Sequence, residues 1–259
     1  MNKMRRISLI LCSIFILFGC GSDETPAPVV PQIPNYFPDT VGSRWVYRNA
    51  DGSEWTREVT DGNSIHGEGS QVFAYTPVSS ETELDYLKPN VFRVTDSHVL
   101  FGIGEKIDRY VQDALPASVA DEFAGLELDI TVESITHPEF VFCQLPLTVN
   151  FQWDAFSTNV NGSIVLQNLV LLQFPFEVHV SVKGEVVAVG PLETPAGSFE
   201  ETYQIEYKTE IMQTLFSEAE TTQQHQTVWF APHVGIVKIE DERGVTELIA
   251  YTFPETIEE

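Results

Sequence analysis

The side chains in this sequence that could do chemistry are thiols, imidazoles and carboxylates, and their spacing narrows what they could do. There are three cysteines, Cys12, Cys20 and Cys143, and six histidines. No two of His66, His98, His137, His179, His225 and His233 have the i, i+4 spacing by which one helix face offers two imidazoles to zinc, and none neighbours a cysteine. No Asp-rich calcium loop with a closing glutamate occurs. A Gly-x-Ser-x-Gly elbow and the glycine-rich phosphate loops are also missing. Acidic residues number 38, so neighbours such as Glu200-Glu201 do not single out a glycosidase pair. The sequence therefore nominates no catalytic, cofactor-binding or metal-ligating residue. The expectation is a protein that is not an enzyme and carries no cofactor.

One thiol has a distinctive setting. Lys3, Arg5 and Arg6 form a positive head, and the run Ile7–Phe18 that follows is apolar except for Ser8, Cys12 and Ser13. A run of that length fits the core of an export signal and is too short to cross a hydrocarbon layer of roughly 30 Å. It ends on Leu17-Phe18-Gly19-Cys20, with a small residue before the cysteine and leucine three positions upstream of it. This pattern resembles the lipobox of bacterial lipoproteins. The resemblance implies cleavage before Cys20, a diacylglyceryl group on its thiol, and acylation of the new amino terminus. It also implies a membrane partner reached through the lipid on Cys20. Gly21-Ser22 follows the cysteine, without the aspartate that favours inner-membrane retention in enteric bacteria. That leans towards the periplasmic face of an outer membrane, with the cell surface as the other address.

Composition bounds what remains. The formal net charge is −24, and loss of the three positive charges in residues 1–19 takes it to about −27. Such an acidic surface repels nucleic acid and anionic headgroups. With Cys12 removed and Cys20 modified, Cys143 has no partner for an intramolecular disulfide, so a packed core must hold the fold. Cys143 lies between Phe142 and Leu145, the setting of a buried, inert thiol. Residues 20–35 read as a proline-rich tether that stays extended. The folded part is expected over 36–259.

That part reads as all-β and mainly antiparallel. Trp45 and Tyr47 share one face of a strand, with Arg44 and Val46 on the other. Asp51-Gly52 turns the chain, and Trp55 to Thr60 returns. Phe176, Val178, Val180 and Val182 alternate with Glu177, His179, Ser181 and Lys183. Likewise Phe199, Tyr203, Ile205 and Tyr207 alternate with Thr202, Gln204, Glu206 and Lys208. A period of two with one wet face predicts an antiparallel sheet covering a core on one side. The single helical passage, between Glu105 and Phe123, is expected to give a turn or two before Pro116 stops it. Pro38, Thr40, Val41 and Trp45 are echoed by Pro146, Thr148, Val149 and Trp153 at one constant offset. Two related halves, 36–143 and 144–259, are one reading of that echo, and chance is the other. The four tryptophans are expected to anchor the core rather than to stack on sugars.

Glu193-Thr194-Pro195-Ala196-Gly197-Ser198-Phe199, the stretch from Val228 to Lys238, and the opening Tyr36-Phe37-Pro38 to Tyr47 form a second pattern. It resembles a group of uncharacterised bacterial envelope proteins with a TPAGxF turn, a WFAPxVGxVK hairpin and a YFPxxVGSxWxY entry. The resemblance implies a curved half-barrel like that of the periplasmic lipoprotein carriers, with an apolar concave face; a sandwich-like sheet is the alternative. The functional expectation is a lipid-anchored envelope protein of non-enzymatic type that binds an apolar ligand or a protein partner. The alternative is an envelope hydrolase with a site assembled from dispersed Asp, Glu and His. A carrier predicts an apolar cavity, whereas an interaction module predicts a filled core with an exposed edge or patch.

Overall fold

Alternation of large apolar and polar residues over most of the chain leaves the backbone one economical solution, an extended ladder with one face inward. The computed structural model describes residues 36–61, 69–77, 85–109, 128–135, 139–166, 172–215 and 218–254. In chain order the strands are β1 (Arg44–Arg48), β2 (Glu54–Asp61), β3 (Ser70–Thr76), β4 (Val91–Val94) and β5 (His98–Gly102). They continue with β6 (Leu128–Ile135), β7 (Phe140–Gln144), β8 (Gln152–Leu166), β9 (Leu172–Thr194), β10 (Gly197–Leu215) and β11 (Glu218–Ala231). The last are β12 (Gly235–Asp241) and β13 (Gly244–Thr252). One short helix, α1 (Gly104–Arg109), falls where the helical passage was expected; residues 110–127 lie outside the described residues.

The thirteen strands form one open, curved sheet, ordered β6-β8-β9-β10-β11-β12-β13-β1-β2-β3-β4-β5-β7. Every pairing is antiparallel. The order contains two sequential runs. One runs from β8 to β13 and the other from β1 through β5 to β7; β13 and β1 join them, with Arg44 opposite Thr252. Trp45 enters one run and Trp153 the other. Trp45 is fully buried and donates to the Val234 carbonyl at 2.6 Å. Trp153 is half-buried and donates to the Val141 carbonyl at 2.9 Å.

The inner face is filled by rings. Phe37 enters ahead of β1 and takes the centre. It lies 5.4 to 6.3 Å, ring to ring, from Trp45, Phe73, Phe92, Phe101, Phe142 and Phe230. Those partners come from β1, β3, β4, β5, β7 and β11, so one side chain touches both runs of the sheet. Aromatic pairs at such separations contribute about 0.5–1.5 kcal/mol each beyond their area. Phe73 on Phe92 (4.1 Å), Tyr47 on Trp55 (4.3 Å) and Phe101 on Phe142 (4.8 Å) stack closely.

The two outer strands of the sheet, β6 and β7, do not pair with each other. Side chains from the opposite run reach the β7 backbone instead: Trp153 of β8 binds the Val141 carbonyl, and the Tyr207 hydroxyl of β10 binds the Phe142 carbonyl. β9 and β10 are far longer than the stretches legible in the sequence, and bulges let them bend. One such shift, between Phe199 and Thr202, turns Thr202 inward. Thr202 was expected on the wet face and is 2% exposed.

Candidate functional site

Cys20, the one site residue the sequence nominates, lies outside the described residues, as do residues 1–35, His66 and His137. The other chemistry-bearing side chains can be placed. Cys143 is a free thiol, fully buried on β7, and burial pushes its thiol far above the usual range. His225 and His233 are exposed, while His98 and His179 are half-buried and bonded to Ser97 and Asn159. Among the described residues, no three His, Cys, Asp or Glu side chains gather as a metal site. Trp45 and Trp55 are core residues, and Trp153 and Trp229 pack partly buried against that core.

Two polar clefts adjoin where β12 turns into β13. One of ≈ 240 Å³ is lined by Asp85, Tyr86, His225, Asp241, Glu242 and Arg243, among others. Its neighbour, of ≈ 280 Å³, shares Asp85, Gln226, Asp241 and Arg243 and adds Trp55 and Lys88. The two-residue turn Glu242-Arg243 swings the guanidinium back over the strand end, with Gly244 taking the positive φ (117°) the turn requires. Arg243 Nη2 meets Asp241 Oδ2 at 2.6 Å and Asp85 Oδ2 at 3.4 Å. Lys88 Nζ approaches Asp85 at 3.7 Å, and the Leu87 amide donates to its other oxygen at 3.0 Å. Gln226 Nε2 donates to Asp241 at 3.3 Å. Burial raises the Asp241 pKa. The side-chain and backbone hydrogen bonds of Arg243, its charge, and Gln226 outweigh that and hold it below the usual carboxylate value. Tyr86 is pushed up to about 12, chiefly by burial, with Thr209 hydrogen-bonded to its hydroxyl at 3.2 Å.

Chemically, this is an anchored carboxylate pair beside an exposed imidazole. A general acid needs a pKa raised towards neutrality. Asp241 is shifted the other way, and its oxygens already accept from Arg243 and Gln226. The arrangement ties the segment at Asp85 to the β12–β13 turn. It leaves a negatively charged cleft rather than a poised acid–base couple. Asp85 and Asp241 are distant in sequence, and neither sits in a motif, so sequence reasoning missed them.

Arg57 was missed in a different way. It is 1% exposed, on the inner face between Trp55 and Val59. Its guanidinium carbon lies 4.6 Å from the Phe73 ring centre, 5.0 Å from Trp45, 5.5 Å from Tyr47 and 6.0 Å from Phe37. Nη2 donates to the Tyr47 hydroxyl at 2.9 Å, and that hydroxyl donates onward to the Ile236 carbonyl at 2.9 Å. The period of two was the available signal. A formal charge argued for the opposite face, but the aromatic cage reverses that preference.

No curated protein sequence matches the chain significantly. Two solved structures are similar in outline. One, from Bacteroides fragilis, is described as an exported protein with a YmcC-like fold. It is 16% identical, with a TM-score of 0.41 over 85% of this chain and 100% of that one. The other, from Parabacteroides distasonis, is described as a lipoprotein. It is 17% identical, with a TM-score of 0.40 over 85% of this chain and 99% of that one. Residues 95–253, which carry α1, β5 to β13 and both the Asp241 and Arg243 corners of the cleft, match the DUF3108-like family, and the chain belongs to it.

Proposed function

We propose that this chain is a lipid-anchored, non-enzymatic protein of the bacterial cell envelope whose β body recognises a protein partner. The observation that carries the choice of partner over apolar ligand is the interior. Phe37 and its six ring neighbours fill the space that a lipid-carrying half-barrel would keep open. The two clefts at the β12–β13 turn are lined mainly by charged and polar side chains. Anchoring rests on the signal ending in Leu17-Phe18-Gly19-Cys20, and the periplasmic face of the outer membrane on Gly21-Ser22. Two or more acyl chains hold firmly, at about 0.8 kcal/mol per buried methylene.

Lipid extraction and native mass spectrometry test the reading. The expected mass is that of the chain with its amino-terminal acyl groups and nothing else. A stoichiometric extra acyl ligand overturns it in favour of a carrier. Cys20→Ser is expected to move the protein from the membrane to the soluble fraction, and unchanged fractionation removes the anchor. The grouping of Asp85, Asp241 and His225 around one cleft is what the hydrolase alternative would need. The depressed Asp241 pKa and the Arg243 clamp weigh against it.

A further inference from the structure

β11 is paired on both sides for only part of its length. Its β10 ladder runs from Tyr203 opposite Phe230 to Leu215 opposite Glu218. Its β12 ladder covers only Thr227 to Ala231. Among the described residues, no strand pairs with the other edge of Glu218–Gln226. Ala219 to His225 are all exposed. In an antiparallel strand every second residue turns its N–H and C=O towards the same edge, so this stretch presents a row of unused donors and acceptors over roughly 25 Å. Exposed edges are usually blunted by lysine, proline or a bulge. Glu218-Ala219-Glu220-Thr221-Thr222-Gln223-Gln224-His225 contains neither lysine nor proline, and its β10 register is unbroken from Ile205 to Leu215.

The open edge runs into the acidic cleft. β12 ends at Asp241 beside Gln226, and the place a continuing strand would occupy is bordered by the exposed Glu242 at one end and the exposed Glu220 towards the other, while Asp85 and Asp241 are already matched by Lys88 and Arg243. Arg243 is already engaged with Asp241 and Asp85. A second copy of the chain, with net charge −24, is a poor occupant of such a border.

We propose that Glu218–Gln226 is a docking edge for an extended, lysine- or arginine-bearing segment of a partner protein, which adds antiparallel to β11 in line with β12. This rests on the protein-partner reading above and names the surface and the chemistry. Main-chain hydrogen bonds would provide the pairing, and the carboxylates at either end would select positive charge.

The test is hydrogen exchange on the full chain with two octapeptide probes, one alternating lysine with valine and one alternating glutamate with valine. The lysine peptide is expected to slow exchange of alternate amides within Ala219–His225, with the effect fading as salt rises. Glu242→Gln, a surface change that leaves the fold intact, is expected to weaken that binding by about twofold to fivefold, as for an exposed ion pair. Equal protection by the glutamate peptide, protection elsewhere on the chain, or none overturns the proposal. Protection that appears without peptide and grows with protein concentration also overturns it, because it assigns the edge to a second copy. An unprotected edge on a chain that carries no apolar ligand removes this docking edge and leaves the protein-partner reading standing.

Discussion

The indole of Trp153 occupies the space where Gly184 would carry a side chain. A Cβ at Gly184 would lie 2.4 Å from Cζ2 of that ring and 2.5 Å from Cε2. Held there, the indole donates to the Val141 carbonyl of the outer strand β7. Gly184→Ala is therefore expected to cost about 1–3 kcal/mol, the usual range for overpacking. Trp153→Phe keeps most of the ring and loses the N–H, for a cost of about 1 kcal/mol. Urea midpoints measure both. A Gly184→Ala midpoint equal to wild type would show that the seam yields freely.

This contact also marks what the sequence could and could not convey. Trp45, Tyr47, Val178 and Val182 announce their faces through a period of two. Gly184, Gly190 and Pro191 look like breaks, yet β9 runs through all three. Gly184 is required under Trp153, and Pro191 lies beside the register shift between Phe199 and Thr202, where ladder bonds are already interrupted. Pro175, paired with Ser163, sits beyond the last β10 partner, Leu215 opposite Phe176, so its missing N–H breaks no bond on that side. The Arg243–Asp85 approach joins positions 158 apart, and no local pattern encodes such a pairing.

Arg57 offers a contrast between losing a charge and losing volume. Its Nε is buried without a hydrogen-bond partner. Arg57→Met keeps an unbranched chain among Phe73, Trp45 and Tyr47 and removes the desolvated charge, so it is expected to fall within about 1.5 kcal/mol of wild type. Arg57→Ala leaves a cavity among four rings and is expected to cost about 2–5 kcal/mol. Equal losses in the two variants, by chemical denaturation, would mean that the charge itself holds the cage.

The cleft predicts an acid-dependent term. Asp241 has a folded pKa below its unfolded value, so its contribution is complete above about pH 4 and is lost as pH falls through the folded value. Asp241→Asn lacks that term. The stability gap between wild type and Asp241→Asn is therefore expected to be widest near neutrality and to narrow below about pH 4. A gap that widens on acidification would contradict the Arg243 clamp.

Cys143 predicts chemical silence. Its thiol is fully buried and held protonated by that burial. Thiol reagents are expected to modify it only in denaturant, because both access and thiolate formation wait on unfolding. Rapid labelling of the native protein would show that β7 opens.

The pairing of β1 with β13 governs how the molecule is assembled. Arg44 meets Thr252, and Trp45 reaches Val234 across 189 positions. The first of the described strands to be synthesised thus acquires its second neighbour only when the last of them has been made. Loop closure over such a distance is slow, and until it happens β1 has an unsatisfied flank and Phe37 lacks Phe230, its one ring partner from the other run. Until then the chain is a sticky, half-zipped precursor, so chaperones that shield it, rather than the strength of the finished fold, would set how much of it folds.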